Sequence, residues 1–179
     1  RKCPENCLQC DKKVGYCAKC KKGYFLTQST TCEACETGTY ITNGINFVCN
    51  KCPEMTFTNQ TGSIECKPCD SSCTSCDRKT GYCKTCNEGW ILTNYTCTEC
   101  KEGSYAEGYK ATECKLCPKG MYQPNKGQGK CFECQKYEYQ DEEGKVSCKK
   151  CSPYCKTGCN KENGHCYDCI AGYELNTKT

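Results

Sequence analysis

The cysteines of this chain fall on a ruler. Cys35, Cys52 and Cys69 stand 17 residues apart, and so do Cys100, Cys117, Cys134 and Cys151. The spacing lays out five copies of one C-x13-C-x-x module, and a period this regular is a stronger guide to architecture than any single motif. Each copy carries an aromatic five residues after its first cysteine: Tyr40, Phe57, Tyr105, Tyr122 and Tyr139. Two residues before the ring stands Gly38, Gly103 or Gly120, with Met55 and Tyr137 departing from the pattern. Turn formers such as "NGIN", "QTGS" and "KGQG" fill the span before the closing cysteine, which predicts a short irregular hairpin in each copy. The ring is expected to pack on the adjacent disulfide.

A longer unit interrupts the short one at residues 3–35, 69–100 and 151–179. Its landmarks recur as well: "VGYC", "TGYC" and "NGHC" precede the fourth cysteine, and Gly23, Gly89 and Gly172 are each followed by an aromatic in "KKGYFL", "NEGWIL" and "IAGYEL". Glycine there suits a turn that needs positive φ. No stretch between the closely spaced cysteines carries a 3.6-residue apolar stripe, so no helix is expected.

Composition explains why the ruler matters. The chain has 27 cysteines in 179 residues, whereas Leu, Ile, Val and Phe together number 17. A chain so poor in apolar mass does not offset its ordering entropy by burial. Closing a loop of about 15 residues removes roughly 3 kcal/mol of unfolded-state entropy in the chain-entropy account, so a dozen crosslinks can stand in for the missing core. The expected fold class is small and disulfide-rich: an elongated rod of tandem cysteine-rich modules built of short β-hairpins and loops, in which each module touches only its neighbours. Crosslinking on this scale belongs to an oxidising, extracellular or cell-surface location.

Net charge is +4, from 25 basic and 21 acidic side chains. No block of like charge appears, so no nucleic acid is expected as a partner. No apolar run reaches membrane-spanning length. Arg1 begins without a signal-peptide pattern, so a secretory signal is expected to have been removed or to lie upstream.

The residues quoted so far carry a resemblance that covers the whole chain. The long unit resembles the furin-like cysteine-rich repeats of growth-factor receptors. The short unit resembles the ephrin-receptor-like or tumour-necrosis-factor-receptor-like module "C-x-x-G-x-Y … C-x-x-C". The mixture, with frequent Lys, Asn, Thr and Tyr, is similar to the cysteine-rich surface proteins of protists, including variant surface antigens and ciliate immobilisation antigens. These likenesses divide the chain into a furin-like repeat at 1–35, two short modules at 35–68, a second furin-like repeat at 69–100, three short modules at 100–150 and an incomplete furin-like repeat at 151–179.

Pairing follows. The recurring x13 loop suits one local bridge per short module: Cys35 with Cys49, Cys52 with Cys66, Cys100 with Cys114, Cys117 with Cys131 and Cys134 with Cys148. In the long units the furin-like resemblance implies Cys3 with Cys10, Cys7 with Cys17, Cys20 with Cys32, Cys69 with Cys76, Cys73 with Cys83 and Cys86 with Cys97. It also implies Cys151 with Cys159 and Cys155 with Cys166. Cys169 is left to open a loop whose sister copies close 11 or 12 residues on, so its partner is expected just beyond Thr179, in a further C-x-x-C. If the natural chain ends at Thr179 instead, Cys169 is a candidate intermolecular crosslink.

The same residues admit competing chemistries. Cys32, Cys35, Cys49 and Cys52 form a C-x2-C-x13-C-x2-C that a four-thiolate zinc site could use. Against it, every C-x-x-C is equivalent to its neighbours, which leaves no natural grouping into isolated metal sites. Redox catalysis needs one activated thiolate in a βαβ context, and twelve copies without that context point to architecture. His165, the sole histidine, takes the place of Tyr16 and Tyr82 in the sister repeats, and a ring packed on a disulfide is expected there. Asp141–Glu143 lack the spaced oxygens of a calcium loop and suit a solvated turn. Trp90 sits where Tyr24 and Tyr173 sit and is expected to be structural, with an exposed carbohydrate platform as the alternative. Asn59-Gln60-Thr61 and Asn94-Tyr95-Thr96 are N-glycosylation sequons, so Asn59 and Asn94 are expected to carry sugar.

No catalytic residue, metal site or cofactor is expected. The leading expectation is a non-enzymatic extracellular structural protein, a segment of a surface coat, stalk or filament, with self-association or other surface proteins as partners. The alternative is a receptor or adhesin ectodomain that binds a protein or glycan.

Overall fold

The computed structural model describes residues 2–42 and 48–175. The "NGIN" turn at 43–46 lies outside the described residues. Secondary structure is a series of two-stranded antiparallel hairpins, and the described residues contain no helix. The chain divides into two compact units, Arg1–Thr85 and Cys86–Thr179.

In the first unit, β1 (Cys7–Cys10) pairs with β2 (Cys17–Cys20), and β3 (Tyr24–Leu26) pairs with β4 (Cys32–Ala34). Two-residue ladders follow: β5 (Thr39–Tyr40) with β6 (Asn50–Lys51), and β7 (Thr56–Phe57) with β8 (Lys67–Pro68). β9 (Cys73–Cys76) and β10 (Cys83–Cys86) make the next hairpin. In the second unit β11 (Trp90–Thr93) pairs with β12 (Thr96–Glu99) over four residues each. Three two-residue ladders succeed it: β13 (Ser104–Tyr105) with β14 (Lys115–Leu116), β15 (Met121–Tyr122) with β16 (Phe132–Glu133), and β17 (Glu138–Tyr139) with β18 (Lys149–Lys150). A lone two-stranded hairpin is marginal in water. The stability must come from elsewhere.

It comes first from sulfur. Thirteen disulfides are present, with Cα–Cα distances of 5.0 Å for Cys155–Cys166 to 6.4 Å for Cys69–Cys76. The cysteine that opens each short module is shut off from solvent: Cys35, Cys52, Cys100, Cys117 and Cys134 are all at most 1% exposed. In the first unit Cys17, Cys20 and Leu26 form a small cluster with Cys7, Tyr24 and Cys32 against it. Cystine therefore occupies the place that Leu and Val hold in an ordinary core.

The second source is a backbone stitch that repeats from hairpin to hairpin. Take the opening cysteine of a module as position 0. The amide at position 3 donates to the carbonyl at position 6 of the following module: Gly23 to Ile41, Gly38 to Thr58, Gly89 to Ala106, Gly103 to Gln123 and Gly120 to Gln140, at 2.7–3.2 Å. The amide at position 6 then donates onward, Ile41 to Ser63, Ala106 to Gln128 and Gln123 to Lys145. Where a long unit follows, Thr58 donates to Arg78 and Gln140 to Lys161. Position 10 reaches back: the amides of Gly62, Gly127 and Gly144 donate to the carbonyls of Cys35, Cys100 and Cys117 at 2.7–2.8 Å. Backbone groups left over by two-residue ladders are thus satisfied by the next hairpin.

Position 6 is the buried hub of this stitch, although its five side chains share no chemistry. Ile41, Thr58, Ala106, Gln123 and Gln140 are all at most 5% exposed. The two glutamines are accommodated because their amides are fully used. Gln123 Nε2 donates to the Lys130 carbonyl at 2.7 Å and its Oε1 accepts from the Asn125 amide at 3.0 Å. Gln140 repeats the arrangement with Ser147 at 2.8 Å and Glu142 at 3.1 Å. A buried amide satisfied on both ends avoids the cost of an orphaned polar group.

Glycine at position 3 has two reasons. Its φ is positive, +75° at Gly103, a region that L side chains rarely occupy. Met55, which replaces glycine in one module, takes φ 57° as well, so the conformation persists without the residue that favours it. The second reason is contact: a Cβ on Gly103 would stand 2.0 Å from the Gly144 carbonyl oxygen two modules on. Gly108, with φ +76°, has no atom within 4 Å of its virtual Cβ. Gly108→Ala is therefore expected to cost about 1 kcal/mol, the left-handed penalty alone. Gly103→Ala is expected to cost at least about twice that and to speed amide exchange at Gly103 and Gly144, read by thermal melting and hydrogen exchange. Equal losses at the two sites would refute the close-contact account.

Candidate functional site

Three loops of one design stand out on this scaffold. In each, an Asp or Asn exchanges backbone hydrogen bonds across a six-residue turn and uses its side chain as an internal cap. Asp11 Oδ1 accepts from the Lys13 and Val14 amides at 2.7 and 3.4 Å, while the Asp11 amide donates to the Tyr16 carbonyl. Asp77 Oδ1 accepts from Lys79 and Thr80 at 2.8 and 3.1 Å, with its amide on the Tyr82 carbonyl. Asn160 Oδ1 accepts from Glu162 and Asn163 at 2.9 and 3.3 Å, with its amide on the His165 carbonyl. Glycine closes each turn at Gly15, Gly81 and Gly164, all with positive φ.

The residue after that glycine faces solvent. Tyr16 and Tyr82 are 61% and 55% exposed, and His165 is exposed too. The loop caps itself through its backbone and asks nothing of this side chain. The aromatics of the hairpins lie against glycine. The Phe57 ring lies where a Cβ on Gly81 would be, 2.7 Å away, and the Tyr139 ring stands in the same relation to Gly164 at 2.8 Å. The Tyr24 ring meets Gly62, and Trp90 Nε1 meets Gly127. A glycine gives a flat backbone surface on which a ring can rest, and no reading of cysteine spacing reveals that partner. Trp90 is half-buried in this way, which is a structural placement.

The other singled-out residues are scattered. Cys32, Cys35, Cys49 and Cys52 belong to three separate disulfides, with Cys20, with each other (Cys35–Cys49) and with Cys66. The sulfurs of Cys7, Cys17 and Cys32 lie within 4.8 Å of one another, with Cys17 and Cys32 at 3.4 Å. All three are half-cystines, so none offers the thiolate a metal would need. Cys169 is the free thiol, half-buried, with its backbone in a bridge to Cys155. Asp141 and Glu142 are engaged by Lys149 at 2.6 and 3.3 Å, and Glu142 also by Lys145 at 2.9 Å. These lysines hold both carboxyls below their ordinary values, Asp141 through its hydrogen bond to Lys149 and Glu142 chiefly through Lys145. That is a solvated, paired turn.

Asn59 is exposed just beyond β7, next to the buried Thr58. Asn94 and Tyr95 form the two-residue turn between β11 and β12, with φ of 48° and 62°, and both are exposed. A primed turn of this kind suits the twist of the hairpin and projects Asn94 outward. An open groove lined by Lys22, Tyr40, Thr56, Ile64 and Glu65 lies in the first unit.

The family described as "Tyrosine-protein kinase ephrin type A/B receptor-like" matches residues 23–69 and 107–138. Among solved structures, a chain of the "Human RANKL/OPG complex" is 21% identical, over 76% of this chain and 86% of that one, at a TM-score of 0.24. No curated protein matches. The chain is a disulfide-rich tandem-module protein of extracellular type, and among the described residues no helix is long and apolar enough to cross a membrane.

The second Asx loop yields a pH test. The Lys79 amide, then Lys84, then the Thr80 amide lower the Asp77 carboxyl from 3.8 to about 2. Stability from this depressed carboxyl is fully present above pH 4 and is lost as pH falls toward 2. Asp77→Asn, which keeps the cap but not the charge, is expected to flatten melting temperature against pH over that window. An NMR titration of the Asp77 carboxyl with a midpoint near its ordinary value would overturn the cause.

Proposed function

We propose that the chain is a segment of a non-enzymatic extracellular structural protein, a surface coat, stalk or filament held by disulfides and sugars. The observation that carries this reading is the stitch. Within each unit every hairpin is closed by its own cystine and then hydrogen-bonded, backbone to backbone, to the next, so covalent and non-covalent restraint recur at module spacing. Such a chain offers a protease few extended, unpaired stretches. The module boundaries proposed are 1–35, 35–68, 69–100, 100–150 and 151–179, with the long units of furin-like type. The pairing of the thirteen bridges in the native protein, sugar at Asn59 and Asn94, and self-association belong to the same proposal.

A second reading is a receptor or adhesin ectodomain. It is supported by the ephrin-receptor-like match over residues 23–69 and 107–138 and by the exposed aromatics of the Asx loops.

Peptide mapping of the unreduced protein tests the first reading. Thirteen bridges, no zinc, and glycosidase-sensitive mass on the Asn59 and Asn94 peptides are expected. A C-x-x-C bridged within itself, or stoichiometric zinc, refutes the pairing. Limited proteolysis of oxidised against reduced protein is expected to show loss of resistance of tenfold or more (on the order of 1.4 kcal/mol or more in local opening) on reduction. Equal digestion rates would remove the mechanical rationale.

A further inference from the structure

The first long unit of the chain is basic. Residues 1–35 hold seven basic and three acidic side chains, a net of +4, which is the whole net charge of the protein. Residues 36–179 hold eighteen of each sign and are neutral. In the second unit six lysines, Lys126, Lys145, Lys149, Lys150, Lys156 and Lys161, pair with carboxylates of that unit, and six more, among them Lys101, Lys110 and Lys115, are in no ion pair among the described residues. Among the described residues, no ion pair involves Lys2, Lys12, Lys13, Lys19, Lys21 or Lys22. All but Lys19 are exposed.

Their placement on the first hairpin is specific. Lys12 and Lys13 ride the self-capped turn that Asp11 closes, and Asp11's side chain is spent on that turn's amides. Lys2 precedes Cys3, which the bridge to Cys10 holds at the same end, 5.6 Å between Cα atoms. Lys19 pairs with Gln9 midway, and the Lys21 amide is bonded to the Asn6 carbonyl at the base, next to Lys22. Cationic groups therefore run from turn to base of a four-residue hairpin, about 13 Å at a strand's rise per residue.

We infer that this first hairpin module binds a sulfated polysaccharide. A run of unpaired cations along one element matches a linear polyanion better than a single anionic headgroup. Six of the seven basic side chains are lysine, a compact point charge, whereas recognition of carboxylates on an acidic protein favours the planar fork of arginine. Anionic lipid is concentrated on the cytoplasmic leaflet, which a disulfide-bonded extracellular chain does not face. A second copy offers no counterpart, because the rest of the chain is neutral and its acidic turn at Asp141 and Glu142 is already paired. The inference rests on the extracellular reading for the choice among polyanions, and peptide mapping tests that reading separately.

The test uses heparin as probe on the intact oxidised protein at about 0.15 M salt, where surface charges more than roughly 8 Å apart are screened. Lys12→Gln/Lys13→Gln/Lys21→Gln is expected to weaken binding about tenfold or more. A charge-matched control on the second unit, Lys101→Gln/Lys110→Gln/Lys115→Gln, is expected to change it less than about twofold. Both variants should retain thirteen bridges by mass, which separates loss of binding from loss of fold. Chemically desulfated heparin should not bind. The inference is overturned if the unmodified protein does not bind heparin, if both variants weaken equally, if desulfated heparin binds as well, or if phosphatidylserine vesicles bind in preference to heparin.

Discussion

The hydrogen bond from a turn amide to the carbonyl six residues into the following module is the constraint on which the remaining architecture depends. A two-residue ladder satisfies very few of a hairpin's backbone groups, and the disulfide that closes it satisfies none. The neighbour supplies what is missing. Gly103 gives its amide to Gln123, Gln123 gives its own to Lys145, and the Gly144 amide returns to Cys117. Cystine fixes each loop's ends, and the stitch fixes where each loop lies against the next.

That division of labour explains the chain's odd economy of residues. Cystines fill the interior, so apolar side chains are scarce without loss of a defined fold. The hub position tolerates Ile, Thr, Ala and Gln because what it contributes is its peptide group, and the side chain need only fit or satisfy itself. Glutamine does so by folding its amide back onto Lys130 and Asn125, or onto Ser147 and Glu142. The energetic content lies in the backbone, and the sequence varies freely around it.

The same fact sets what the sequence made legible. Hairpins, the absence of helix and the disulfide-rich class follow from cysteine spacing and turn residues, because both constrain the backbone through types visible one at a time. The hub was invisible, since five unlike side chains give no pattern and hydrogen bonds between backbones leave no compositional mark. Phe57 and Tyr139 rest against Gly81 and Gly164, roughly two dozen residues on, a partnership that needs the stitch to be known first. The exposure of His165, like that of Tyr16 and Tyr82, accompanies a loop that caps itself through its backbone, a property the cysteine spacing does not display.

The regular register of the stitch also bears on how such a chain can change length. Every short module meets its neighbour through the same positions, so the seam after Cys100 differs little from the seam after Cys117. Removing residues 117–133 would bring Gly103 opposite Gln140 and Ala106 opposite Lys145, with each donor facing an acceptor of the same kind. Duplication or loss of a whole 17-residue block is thus nearly silent to the fold, whereas a gain of one residue inside a block disturbs two seams at once. Growth by whole blocks is the path of least resistance for this architecture, and reach can evolve without redesign of any contact.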